Sequence, residues 1–201
     1  MKIIGITGGI GSGKSAVLEL LEKNFNAFII KADDVAKETM EIGHAGYNKV
    51  LEIFGEDILD NNHNIIREKL AKIVFTNKNK LIVLNSIIHP LVKKLITEQI
   101  GQLKCEEKYD YIFIEAALLI EDHYEILCDE LWHVYAPEEV RIERLRASRG
   151  YDDNKIKEVF ANQLRPDEFK KNCKIIINND KGLDDTLQQL YFATTENSTN
   201  S

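Results

Sequence analysis

Eight residues near the start of the chain, GGIGSGKS at positions 8 to 15, restrict its fold more than any other stretch. Four of the eight are glycine, which is costly inside a helix or strand. The run therefore marks a junction. Before it, KIIGI at residues 2 to 6 reads as a buried strand. After it, SAVLELLEKN carries Val17, Leu18, Leu20 and Leu21 on one helical face, with the helix beginning near Gly13.

The run fits GxxxxGK[ST], with Gly8, Gly13, Lys14 and Ser15 in the specified places. The spacing has a physical reason. The loop must bend tightly so that backbone N–H groups point at phosphate oxygens, and Cβ atoms would crowd that approach. The following helix adds its unpaired N-terminal N–H groups and its dipole. The reading is a phosphate-binding loop lined by Gly9, Ile10, Gly11, Ser12, Gly13, Lys14, Ser15 and Ala16. Lys14 reaches the β- and γ-phosphates of a nucleotide, and the Ser15 hydroxyl is placed to ligate Mg²⁺.

Further along, AFII at 27 to 30, YIFI at 111 to 114, LWHVY at 131 to 135 and III at 175 to 177 read as strands. Helical segments separate them: 34 to 41, a stretch ending at Gly55, most of 65 to 99, 137 to 149, a run broken near Pro166, and 183 to 192. Pro90 predicts that one helix ends near Ile88 and another begins at Pro90. Alternating strands and helices argue an α/β fold with a mostly parallel sheet. The helical middle, residues 60 to 105, reads as an insertion rather than a separate domain. The polar tail TTENSTNS reads as frayed.

With 201 residues and a net charge of -7, the chain suits one soluble domain without a broad basic face for nucleic acid. No apolar run is long enough to span a membrane, and no secretory leader precedes the first strand. Cys105, Cys128 and Cys173 are scattered and odd in number, which predicts reduced thiols in a cytoplasmic protein.

Seven residues outside the loop stand where chemistry gathers. Asp33 follows the second strand, where a carboxylate can hold an acceptor hydroxyl and take its proton; the alternative is a helix N-cap. Glu115 ends YIFI, where an acidic residue orders Mg²⁺ or its waters, or is simply solvated. His89, before Pro90, binds an anionic substrate or caps a helix. Arg141, Arg144, Arg146 and Arg149 form the densest basic cluster. They suit a lid that closes over ATP, with pairing to Glu138, Glu139 and Glu143 as the alternative.

Taken together these residues resemble the dephospho-coenzyme A kinase family across nearly the whole chain. GITGGIGSGKS is similar to the family's opening. Lys31-Ala32-Asp33 stands where the family has Asp-Ala-Asp, so Asp33 keeps the second aspartate and Lys31 replaces the first. Phe54-Gly55, Ile58-Leu59, Arg67, Leu70, Val74-Phe75, Leu84-Asn85, His89-Pro90, Leu118-Leu119, Glu121, Gln163 and Asn179 follow in the family's order. The usual lid arginine falls at Ser148, one place before Arg149, and a second family arginine falls at Val159.

The resemblance implies a P-loop, nucleoside-monophosphate-kinase-like three-layer fold, with a helical acceptor-binding region at 60–105 and a small lid at 140–165. It implies phosphoryl transfer from ATP to the ribose 3′-hydroxyl of dephospho-coenzyme A, with Mg²⁺, in a monomer or weak homo-oligomer. Asp33, Lys14, Arg144 and Arg149 would act on the reaction. Arg67, His89, Leu118 and Glu121 would join Asp33 in holding the acceptor, and Asn179 would help hold ATP. The rivals are a kinase for a nucleotide, shikimate or gluconate on the same core, and a GTP-driven switch. The last lacks its guanine motif, since Asn77-Lys78-Asn79-Lys80 has no aspartate in place.

Overall fold

The apolar opening run forms β1 (Lys2–Thr7), the middle strand of a five-stranded sheet of order β2-β3-β1-β4-β5. The structure is a computed structural model and describes residues 1–196; the last five positions of the polar tail lie outside the described residues. In chain order the elements are β1, α1 (Lys14–Asn24), β2 (Ala27–Lys31), α2 (Ala32–Thr39), α3 (Ala45–Phe54), α4 (Arg67–Thr76) and α5 (Lys78–Glu106). There follow β3 (Tyr111–Glu115), β4 (Glu130–Tyr135), α6 (Glu138–Arg149), α7 (Asp153–Ala161), α8 (Pro166–Asn172), β5 (Ile175–Asn178) and α9 (Leu183–Glu196). β1 pairs in parallel with β3 and β4, and β4 with β5. The parallel arrangement follows from the helical connections, since parallel neighbours need a crossover.

Backbone contacts divide the chain into two compact units. The first joins Met1–Ile29 to the chain from Glu107 onward. Its strands alternate by face, as period-two geometry requires. Ile4, Ile6, Phe113, Trp132, Val134 and Ile177 meet Val17, Leu18 and Leu21 of α1 and Leu190 and Ala193 of α9 in one apolar cluster. On the other face His133 stacks on Phe169 of α8. The sheet thus lies between two covering layers, which is why its strands read as continuous apolar runs. At its base Glu130 is buried, yet its carboxyl sits below the ordinary range. Burial alone would raise it; hydrogen bonds from Lys174, Lys2 and Trp132 outweigh that effect.

The second unit is Ile30–Glu106; beyond Ile30 and Lys31 at the end of β2 it is helical apart from turns and a Leu59–Ile65 bridge. Here the structure corrects the expectation at Pro90. α5 runs unbroken from Lys78 to Glu106 with Pro90 inside it. The break falls earlier, at Asn77, which ends α4 and accepts the Lys80 N–H on its side-chain oxygen at 3.2 Å. A mid-helix proline costs about 3 kcal/mol. The helix keeps its course because Ile88, Val92, Ile96, Ile100 and Leu103 form one buried stripe, each contributing roughly 1.5–3 kcal/mol. Asn77-Lys78-Asn79-Lys80 is therefore a helix start. The short second helix also begins earlier than 34: α2 opens at Ala32 with Lys31 at its N-cap, so Asp33 lies in the first turn and is not the cap.

Candidate active site

The glycine loop leaves the carboxyl end of β1 and enters α1 through Gly13. Gly13 has φ +88, in the left-handed region, and a Cβ there would collide with the Asn179 amide. A Cβ at Gly8 would lie 2.5 Å from the Val134 carbonyl oxygen. Both positions thus need glycine for conformation or for room. Inside the loop the Ser12 N–H donates to Gly9 O at 3.1 Å, and the Lys14 ammonium donates to Gly8 O at 2.7 Å. α1 has neither a capping side chain nor an acidic residue in its first turn. Its N-terminal amides are directed at a site suited to an anion.

Two groups from distant sequence hold the outer side of this loop. Arg144 of α6 donates to Ser12 O at 3.1 Å and Gly11 O at 3.4 Å, and to the Asn179 carbonyl at 2.7 Å. Asn179, buried just after β5, donates from Nδ2 to Ser12 O at 2.8 Å. Its orientation is set by Thr186, whose hydroxyl donates to Asn179 Oδ1 at 3.0 Å. The alternative for the basic cluster, pairing with the interleaved glutamates, is not what the geometry shows for Arg144: its hydrogen bonds go to backbone carbonyls. Arg146 instead pairs with Asp153 at 2.6 Å. Arg149 is exposed, with its guanidinium 5.9 Å from the Tyr151 ring.

The remaining residues named from the sequence divide between the two units. In the first, Glu115 is half-buried at the end of β3, level with Ile6 in the β1 register. Ser15 is exposed at the start of α1, and Leu118 and Glu121 are exposed on the turns after β3. In the second unit, Asp33 is exposed in the first turn of α2, and His89 is half-buried on α5. Arg67 opens α4 at a cavity of about 400 Å³ shared with Lys37, Met40 and Asn64. Next to Asp33, the Lys37 hydrogen bond and charge hold the Asp34 carboxyl below its ordinary value.

Two residues beside the loop carry no individual assignment from the sequence. Arg141 belongs to the loop's surroundings, donating from Nε to Ile10 O at 2.9 Å. From the sequence it is one of four arginines in the basic cluster read as a lid, three residues before Arg144. His133 lies beside Thr7 in the sheet register, and nothing in LWHVY distinguishes it from an ordinary strand residue. Ser12, His133, Arg141, Phe160, Gln163 and Phe169 line a cavity of about 310 Å³ next to the loop.

A parallel sheet whose central strand feeds a clamped glycine loop and a helix N-terminus defines a P-loop phosphotransferase of the nucleoside-monophosphate-kinase type. Comparison with known proteins narrows this. The profile of the family described as "Dephospho-CoA kinase" matches residues 2–185. A Dephospho-CoA kinase of Carboxydothermus hydrogenoformans is 40% identical over 190 residues, covering 94% of this chain and 91% of that protein. Among solved structures, TT1252 from Thermus thermophilus superposes with a TM-score of 0.81 at 27% identity, over 98% of this chain and 97% of that one. Dephospho-CoA kinase from Campylobacter jejuni gives a TM-score of 0.73 at 26% identity, with coverage of 98% and 97%. The chain belongs to the dephospho-CoA kinase family.

Proposed function

We propose that this protein transfers the γ-phosphoryl group of ATP to the ribose 3′-hydroxyl of dephospho-coenzyme A, giving coenzyme A and ADP, the last step of coenzyme A synthesis. The observation that carries the reading is the clamped loop in a chain whose family match covers residues 2–185. The loop amides and α1 N-terminus bind the phosphates, and Lys14 follows charge onto the transferring group. Arg144 and Asn179 keep the loop in that form, and Arg149 approaches from the lid at 140–165. The helical unit, including the segment 60–105, carries the acceptor through Arg67 and His89, joined by Leu118 and Glu121. Asp33 orients the acceptor hydroxyl and accepts its proton.

The residues present fit Mg²⁺. Among the described residues no cluster of three His, Cys, Asp or Glu side chains could hold a metal. An exposed serine hydroxyl at the loop suits a small hard cation carried largely by nucleotide phosphates and water. Ser15 would hold it, with Glu115 ordering its waters. When bound, the ion neutralises charge on the β- and γ-phosphates. No helix of the described residues is long and apolar enough to cross a membrane, which fits small soluble substrates in the cytoplasm.

The test offers ATP with dephospho-coenzyme A, AMP, CMP and shikimate in parallel. Dephospho-coenzyme A should be preferred by orders of magnitude. A comparable rate with AMP or shikimate refutes the acceptor assignment.

A further inference from the structure

Each peptide group of a phosphate loop has two sides. Turning an N–H inward toward an anion turns the preceding carbonyl outward, where it needs a donor of its own. Arg144 and Asn179 serve Gly11 and Ser12 in this way. The Ile10 carbonyl, whose peptide partner is the Gly11 N–H, is served by a different side chain, Arg141.

Arg141 is itself held firmly. Its NH2 donates to Gln163 Oε1 at 2.6 Å, and its guanidinium carbon lies 4.3 Å from the centre of the Phe160 ring. Its backbone packs against the loop as well: a Cβ at Gly11 would meet the Arg141 carbonyl oxygen at 2.9 Å. Phe160 is in the last turn of α7 and Gln163 just beyond its end. One planar fork therefore joins a loop peptide, an amide and an aromatic face, with donor directions that a flexible ammonium cannot reproduce.

We propose that Arg141 is a positioning residue for nucleotide binding: it sets the Ile10–Gly11 peptide plane so that the Gly11 N–H faces the phosphates of ATP, and Gln163 and Phe160 lock it in that orientation. The end of α7 is thereby coupled to the phosphate loop. This rests on reading the loop as the ATP phosphate site.

The experiment titrates the full chain with a non-hydrolysable ATP analogue by calorimetry, without acceptor, and then measures KM for each substrate and kcat. Circular dichroism confirms folding of every variant. Arg141→Ala should weaken analogue binding about tenfold or more, as expected for losing a charged hydrogen bond, and raise KM for ATP while KM for dephospho-coenzyme A holds. Arg141→Lys, which keeps the charge and loses the fork, should recover little of the loss. Gln163→Met should weaken binding several-fold, and adding it to Arg141→Ala should weaken binding no further, because the two act as one unit. Lys155→Ala, removing an exposed ammonium of α7 that pairs with Glu158, controls for lost positive charge and should leave binding unchanged. Wild-type affinity in Arg141→Ala or Arg141→Lys overturns the proposal, and additive losses overturn the coupling. These results are independent of the acceptor's identity. A wild-type chain that fails to bind the analogue overturns the loop reading, and this proposal with it.

Discussion

Acidification should destabilise this protein through one buried ring. His133 is 6% exposed, and its imidazole stacks on Phe169 with centroids 4.4 Å apart and planes 14° from parallel. Burial first, then the positive charges of Arg141 and Lys14, push its pKa down from 6.5 to about 4. The folded protein therefore keeps the ring neutral at pH values where the unfolded chain already binds a proton. Such a group contributes stability that is fully present above pH 6.5 and is lost as the pH falls toward 4. From those two values the loss relative to neutral pH is roughly 2 kcal/mol at pH 5 and roughly 3 kcal/mol at pH 4. His133→Phe keeps an aromatic ring against Phe169 and removes the titration. Urea unfolding of both proteins across this pH range isolates the effect, because other groups titrate in both. The stability of the wild type relative to the variant should fall by about 2 kcal/mol between neutral pH and pH 5. At neutral pH the variant should be no less stable on polar grounds, since His133 Nδ1 has no hydrogen-bond partner among the described residues and an unpaired buried group is unfavourable. A stability difference that stays constant over this range refutes the reasoning. So does a ring that titrates near 6.5 in the folded protein by NMR.

Two further predictions concern the reaction. Asp33→Asn should bind dephospho-coenzyme A about as well as the parent while kcat falls by about 10²- to 10⁴-fold; near-normal turnover in a folded variant removes Asp33 as the base. Lys31 holds the N-cap position of α2, so a cap explanation for any loss is not open. Arg144→Ala should lower kcat/KM by about tenfold or more, since it removes charged hydrogen bonds to two loop carbonyls, and Arg149→Ala should lower it less. Equal losses, compared by steady-state kinetics, would contradict that ranking.

The strands and the loop were legible because their signals are local. KIIGI, YIFI and LWHVY are apolar over consecutive residues, as strands covered on both faces must be, and GxxxxGK[ST] is a single continuous segment whose conformation its own glycines permit. Pro90 was misread for the converse reason. Its local rule holds, but the decision lay with a buried stripe running from Ile88 to Leu103, whose value depends on what packs against it. Asp33 shows the same limit on a smaller scale: a shift of two residues in where α2 begins moved it from a candidate cap into the first turn.

The amino-acid sequence by itself thus determined an α/β core with a phosphate loop, and its ordered motifs pointed to the acceptor class. Which arginines of α6 serve that loop was decided only by the tertiary structure. Arg141, Arg144, Arg146 and Arg149 repeat the same charge at similar spacing, and nothing local distinguishes them. Their directions depend on the helix's rotation against β4 and the loop, which is set by packing between segments more than a hundred residues apart. That packing brings Arg141 and Arg144 to the carbonyls of Ile10, Gly11 and Ser12, whereas Arg146 turns to the nearby Asp153 at the start of α7. It also buries His133 between strand and helix, where desolvation rather than sequence context sets its charge.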